Sequence, residues 1–445
     1  MEILRTLAQS LQQVFGPELE ELGTRTGVIQ RRRAFGAMTL LRTLVLTVLK
    51  HPQAHPADFQ RTAAQVGVQV SSKAIVKRFS DRLILFLQTV LEQATHRALE
   101  GQQPTDITLL QGFTAVFLGD GSTVSLPDDY AEQYPGCGGA ARSGRAALKI
   151  QLLWDFLSGS FRKLVIEPGK SSDAVSPIAK EELPAGSLSL FDLGYFCLDR
   201  FSRLMQGGAF WISRLQMGTT VYDTDGRELS LLDFLQGRLD AGQRMIDMPI
   251  LLGATHRLRC RLIAVRIPQE VAARRRQQAH EKAAKHGRAA SREYLRWQDW
   301  TIFVTNCEPE RLTWKAVVIL YRARWQIELM FKLWKSHNGL ATYRPEASPQ
   351  ERLALIYAKL IGVVVQHWIL VTATWSYSRR SLMKAAATVR EWITILAEHL
   401  DDQERLVETL SRLAATLESD CVERRRKQPS LFQLLEDPEL LDWLI

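Results

Sequence analysis

Between residues 113 and 214 the chain breaks into short runs rich in branched and aromatic side chains, and their order constrains the fold more than any other feature. Residues 113–118, 147–156, 161–166, 187–191 and 209–214 have the length and composition of strands. Only the turn at Ser158-Gly159 separates the second run from the third, which predicts a hairpin. Helical patterns are expected at 173–180 and 197–205. A meander of three strands followed by helix, strand, helix, strand predicts a mixed sheet with flanking helices.

Helical patterns lie on both sides of this region. Residues 1–105 carry a nearly continuous apolar run at 38–49 and Leu83, Leu87 and Leu91 at helical spacing, with Pro52 and Pro56 as punctuation. Ala63 to Gly67 followed by Ser71 to Phe79 has the outline of a helix-turn-helix, in which Lys73, Lys77 and Arg78 would face DNA. A plain helical hairpin fits the same pattern. The turn-rich Gly101–Pro104 closes this region. The core is then expected to occupy 106–215 and 298–345, interrupted at 216–297 by a β-rich insertion and one basic helix over 270–297. That helix carries Arg274, Arg275 and Arg276 among eight basic residues, against Glu270, Glu281 and Glu293. Such an excess suits a phosphate-facing surface, although charged runs also occur as solvated faces. Residues 346–445 are again helical. Within them the apolar stretch at 360–375, interrupted by Gln366 and His367, reads as a buried helix.

The net charge of +9 and a pI near 9.4 favour an acidic partner such as nucleic acid. Five scattered cysteines with no C-x-x-C spacing suggest neither a disulfide framework nor a zinc ribbon. Together with an N-terminus that lacks the pattern of a secretory signal, they predict a cytoplasmic protein with no membrane partner.

Two acids stand where chemistry is expected. Asp120 closes one strand-like run before Gly-Ser-Thr, and Asp192 closes another before Leu-Gly-Tyr, so both are expected at the carboxyl edge of a sheet. Either alone is an ordinary turn aspartate. A third acid changes the reading. Tyr321, Arg324, Glu328 and Lys335 fall within about 60° of a helix circumference, with Trp325 beside them. Leu320, Ile327, Met330, Phe331 and Trp334 take the other side, for the core. An ordinary surface ion pair explains Arg324 with Glu328 but not the two further residues on the same line. Three carboxylates of this kind suit a cage of hard oxygen ligands for Mg2+ or Mn2+. Two such ions supply what phosphodiester cleavage by water requires.

The spacing Tyr, two residues, Arg, three residues, Glu, six residues, Lys resembles the signature of bacterial DDE transposases of the insertion-sequence four family, which cut and paste DNA through a hairpin intermediate. Asp120 before Gly-Ser, and Asp192-Leu193-Gly194-Tyr195, resemble the other two motifs of that family, so the resemblance spans residues 113–335. It implies an α/β fold with an RNase H-like catalytic core, an inserted β-rich subdomain and helical N- and C-terminal regions. It also implies that Asp120, Asp192 and Glu328 are catalytic and bind two Mg2+ or Mn2+ ions. Tyr321, Arg324 and Lys335 would hold phosphates of the element's end, and Trp300 and Trp325 would accommodate a flipped base. The implied partners are double-stranded DNA, as terminal inverted repeats and target, and a second copy of the chain in the synaptic complex. Leu193 departs from relatives with a basic residue there, so no DNA contact is assigned to it. Two other readings remain open on the residues: a host nuclease on an RNase H-like core, and a DNA-binding protein that kept the fold without catalysis.

Overall fold

A computed structural model describes residues 2–30, 35–97, 107–138, 145–375, 380–421 and 428–443. The expected break at Gly101–Pro104 lies outside them. In chain order the elements are α1 (Glu2–Val14), α2 (Leu19–Arg25), α3 (Ala37–Lys50), α4 (Pro56–Gln65), α5 (Ser72–Val76), α6 (Asp81–His96), β1 (Val116–Leu126), β2 (Ala146–Asp155), β3 (Phe161–Pro168) and β4 (Leu188–Phe191). Next come α7 (Leu198–Gln206), β5 (Phe210–Arg214), β6 (Val221–Tyr222), α8 (Leu231–Asp240), β7 (Met245–Leu252), β8 (Leu258–Arg266), α9 (Gln269–Lys285), α10 (Arg292–Trp297) and β9 (Trp300–Thr305). The chain ends with α11 (Trp314–Ala323), α12 (Trp325–Lys332), α13 (Pro349–Thr374), α14 (Leu382–Glu398), α15 (Gln403–Asp420) and α16 (Leu431–Glu436).

The chain divides into two compact units. The first contains residues 1–105, 121–171 and 326–425. The two helical regions, separate in the sequence, meet here because α13 is apolar on every side. Every residue of this 26-residue helix from Leu353 to Val371 is buried, and such a helix needs cover all round. That cover comes from α1, α3, α6, α14 and α15. By length and composition α13 could cross a membrane, but it is enclosed within this unit, as its two polar interruptions predict. Gln366 bonds Asn338 and the Ala386 carbonyl, and His367 bonds the Gly159 carbonyl at 2.6 Å. The expected hairpin is also here: β2 and β3 pair antiparallel, in the order β3-β2-β1.

The second unit contains residues 106–120, 172–325 and 426–445, with strand order β1-β4-β5-β9-β8-β7-β6. Strands β1, β4 and β5 run parallel, and β9 returns antiparallel beside β5. The expected insertion does not stand apart from this sheet, since β7 and β8 continue it by pairing along β9.

Three local expectations change. The helix expected at 173–180 is a single 3-10 turn at Asp173–Val175, because Pro177 drives Ser176 into an extended conformation with ψ of 157°. The basic helix is two helices: Gly287 with φ of +67° ends α9, and the Ser291 hydroxyl caps α10 by accepting from the Tyr294 N–H. The helix-turn-helix outline has the expected order, with Gly67 at φ of +83° between α4 and α5. Yet α5 has only five residues, a rod of about 7.5 Å against a major groove about 12 Å wide.

Candidate active site

The site grows from the register of β1 and β4. These strands pair from Val116 with Leu188 to Gly119 with Phe191, which sets Asp120 and Asp192 next in line on neighbouring parallel strands. The sequence places Asp120 at a strand end, whereas β1 runs on through Gly121-Ser122-Thr123 to Leu126. It is β4 that ends, and Asp192 begins a 3-10 turn at Leu193–Tyr195 whose Tyr195 N–H bonds the Asp192 carbonyl at 2.9 Å.

Arg324 lies between the two acids. Its guanidinium is 3.6 Å from Asp120 and 3.7 Å from Asp192, and its side chain is 13% exposed. Tyr321, one turn earlier on α11, is buried against the Phe303 ring and donates its hydroxyl to the Phe191 carbonyl at 3.4 Å. Burial raises its pKa to about 12 despite the lowering influence of Arg324, so the hydroxyl stays a donor at neutral pH.

Two residues passed over in the sequence hold this pair in place. Phe191 lies directly on Gly119, where a side chain would have no room. The Arg200 guanidinium of α7 lies over the ring, 3.4 Å from its centre. Arg200 is buried, and that burial pulls its pKa down to about 9. The sequence signal was available: a glycine just before one acid and an aromatic just before the other.

The remaining residues fall as follows. Glu328 and Lys335 belong to the first unit, both half-buried. Burial lowers the Lys335 pKa. The backbone after α12 changes to π-helical bonding over Leu333–His337, so the angle of Lys335 departs from simple helical spacing. Leu320, Ile327, Met330, Phe331 and Trp334 are buried as their spacing predicts. Trp325 is 54% exposed, whereas Trp300, on β9, is 3% exposed and offers no free face to a base. Of the three consecutive arginines on α9, only Arg274 is exposed. Arg275 donates to the Trp300 carbonyl and the Thr301 hydroxyl, and Arg276 pairs with Asp299, which Arg266 also holds. Lys73 and Lys77 are exposed, and Arg78 lies 5.8 Å from the Phe35 ring centre. Among the described residues no three His, Cys, Asp or Glu side chains gather into a complete metal cage. Asp120 and Asp192 nonetheless supply hard oxygen donors side by side and already draw a cation between them, so their donor chemistry fits a divalent ion.

A parallel β1-β4-β5 core with an aspartate on each of two neighbouring strands is the arrangement of an RNase H-like nucleic-acid enzyme. The chain belongs to the DDE transposases: residues 111–361 match the family described as the transposase DDE domain. It is therefore a DNA-cleaving and strand-transferring enzyme. It is 26% identical over 450 residues to the transposase for insertion sequence element IS231F of Bacillus thuringiensis subsp. israelensis, spanning 94% of this chain and 92% of that protein. The transposase for IS231C, from B. thuringiensis subsp. berliner, is 29% identical, over 82% of this chain and 78% of that one. That for IS1151 of Clostridium perfringens is 25% identical, over 83% and 81%. A cryo-electron microscopy structure of a piggyBac transposase synaptic complex with hairpin DNA is similar at a TM-score of 0.47 and 10% identity, covering 95% of this chain and 87% of that one.

Proposed function

We propose that this transposase acts by cut and paste, in the manner of the insertion-sequence four family. It cleaves the ends of its element by hydrolysis, passes through a DNA hairpin, and joins the ends to target DNA by transesterification. The observation that carries the reading is the pairing of Asp120 with Asp192 around the Arg324 guanidinium. The Tyr, Arg, Glu, Lys spacing along α11, α12 and the π-helical turn after them supports it.

Asp120, Asp192 and Glu328 would hold two Mg2+ or Mn2+ ions. When bound, such ions help water act as a nucleophile and stabilise charge on the leaving oxygen. The other residues bind and orient DNA. Arg324 neutralises the paired acids, so that a phosphate approaches them with less repulsion, and with Tyr321 and Lys335 it holds the backbone at the element's end. Trp325 has the exposed indole face on which a displaced base can stack, worth roughly 1 to 3 kcal/mol. Trp300 supports β9 instead. Arg274, Lys73 and Lys77 have the exposure for more distant phosphates. The substrates are the terminal inverted repeats and target DNA in the bacterial cytoplasm, with two copies of the chain bringing two ends together.

Labelled duplexes made from the repeats flanking the gene, incubated with the protein and Mg2+, test this on a denaturing gel. Hairpins at the element's end support the reading. Nicks without hairpins indicate a nuclease, and a mobility shift without cleavage indicates a binding protein.

A further inference from the structure

The sheet face that carries the two aspartates also carries Arg214. In the parallel register of β4 and β5, Leu190 pairs with Ile212, and continuing it two residues, just past the end of β4, puts Arg214 opposite Asp192; the charges of both act on the Tyr321 hydroxyl. On its other side Arg214 pairs with Phe303 of β9. Thr301 lies two residues from Phe303 on the same face, and its hydroxyl accepts from Arg275 of α9 at 3.2 Å. Strands are about 4.8 Å apart and alternate residues roughly 6.8 Å, so two long arginine side chains from these positions reach a common patch. Their charges are close enough to interact: after burial, the Arg214 charge is what pulls the Arg275 pKa down.

No ion pair relieves this repulsion, since Asp192 faces Arg324. Among the described residues neither Arg214 nor Arg275 has a carboxylate partner, whereas nearby Arg266 and Arg276 share Asp299. Only one terminal nitrogen of Arg275 is engaged by the protein, which leaves the rest of its donor fork available. Two adjacent guanidinium groups without an ion-pair partner form a site for an anion with several oxygens.

We propose that Arg214 and Arg275 together bind one DNA backbone phosphodiester, one strand's width from Asp192. The proposal rests on the reading of the chain as a DNA-cutting enzyme and adds to it the place where the strand is gripped. It also assigns α9 a different task from a general basic surface: one of its arginines completes a site at the sheet edge.

Fluorescence anisotropy with a labelled random-sequence duplex, across a salt series, measures the contact directly. Each phosphate contact contributes about 0.9 to the slope of log affinity against log salt. The double variant Arg214→Gln, Arg275→Gln should lower the slope by about 0.9, and each single variant by no more than that, because both side chains serve one phosphate. Arg214→Lys, which keeps the charge, should hold the slope near wild type. An unchanged slope in the double variant overturns the proposal. So does a fall of about 1.8, the sum of two independent contacts. Wild-type protein that binds the duplex with no salt dependence would instead overturn the DNA-enzyme reading itself. Melting temperatures of all variants well above the assay temperature show that a loss of slope is not unfolding, although Arg275→Gln gives up its bonds to the Trp300 carbonyl and the Thr301 hydroxyl.

Discussion

Gly119 and Phe191 touch across β1 and β4 so closely that a Cβ on the glycine would lie 2.0 Å from the nearest ring carbon. Each residue immediately precedes one of the paired aspartates, so this contact sets the strand spacing where the two carboxylates leave the sheet. Arg200, itself buried, packs over the same ring at 3.4 Å and limits its freedom to move.

Gly119→Ala should therefore destabilise the protein by about 1 to 3 kcal/mol, as overpacking of a close-packed interior does. DNA cleavage should fall further than duplex binding, because the acids shift while distant phosphate contacts remain. Thermal melting and single-turnover cleavage check this together. An unchanged melting temperature and rate would mean that the ring has room to move.

The two tryptophans should separate by assay. Trp300→Ala empties a buried site and should cost about 3 to 5 kcal/mol of stability. Trp325→Ala, at a half-exposed position, should leave the melting temperature nearly unchanged and slow hairpin formation more than the first nick. Equal slowing of both steps by Trp325→Ala would remove it from base stacking.

Neighbouring arginines on α9 should behave in opposite ways. Arg276→Gln leaves half-buried Asp299 with one cation fewer and should lower the melting temperature with the salt dependence of DNA binding intact. Arg274→Gln, at an exposed position, should leave the melting temperature alone and reduce the salt dependence. Melting curves and binding isotherms on the two variants distinguish these outcomes, and identical behaviour would contradict the assignment.

Much of the core was legible because its signals are local. Alternating runs marked the strands, Ser158-Gly159 marked the hairpin, and helical spacing separated the buried face at Leu320 and Ile327 from the face carrying Arg324. What was not legible depended on partners distant in sequence. The strand through Asp120 continues where Gly-Ser-Thr reads as a turn. Nothing near Arg276 predicts that Asp299 will hold it, and Trp300 looks like Trp325 until β9 takes its place in the sheet. Arg214 closes an unremarkable strand in the sequence, and only the register of β4 and β5, continued past the end of β4, puts it opposite Asp192.

Acid should destabilise the helical unit through His367. Burial, with a further push from Arg380 and against the pull of its bond to the Gly159 carbonyl, lowers its pKa from 6.5 to about 4. The unfolded chain therefore takes up this proton first. Stability from this residue is complete above pH 6.5 and is lost as pH falls towards 4, by up to about 3 kcal/mol. Melting temperatures across that window should fall for wild type and change less for His367→Gln; parallel curves would show that other groups carry the acid response.

Cleavage of a labelled element end by Asp120→Asn, Asp192→Asn and Glu328→Gln tests the central claim most directly. Each variant should bind the duplex with nearly wild-type affinity, since phosphate contacts elsewhere supply most of it, and each should fail to cut in Mg2+. Near wild-type cleavage by any one of the three would contradict their assignment as a single catalytic set.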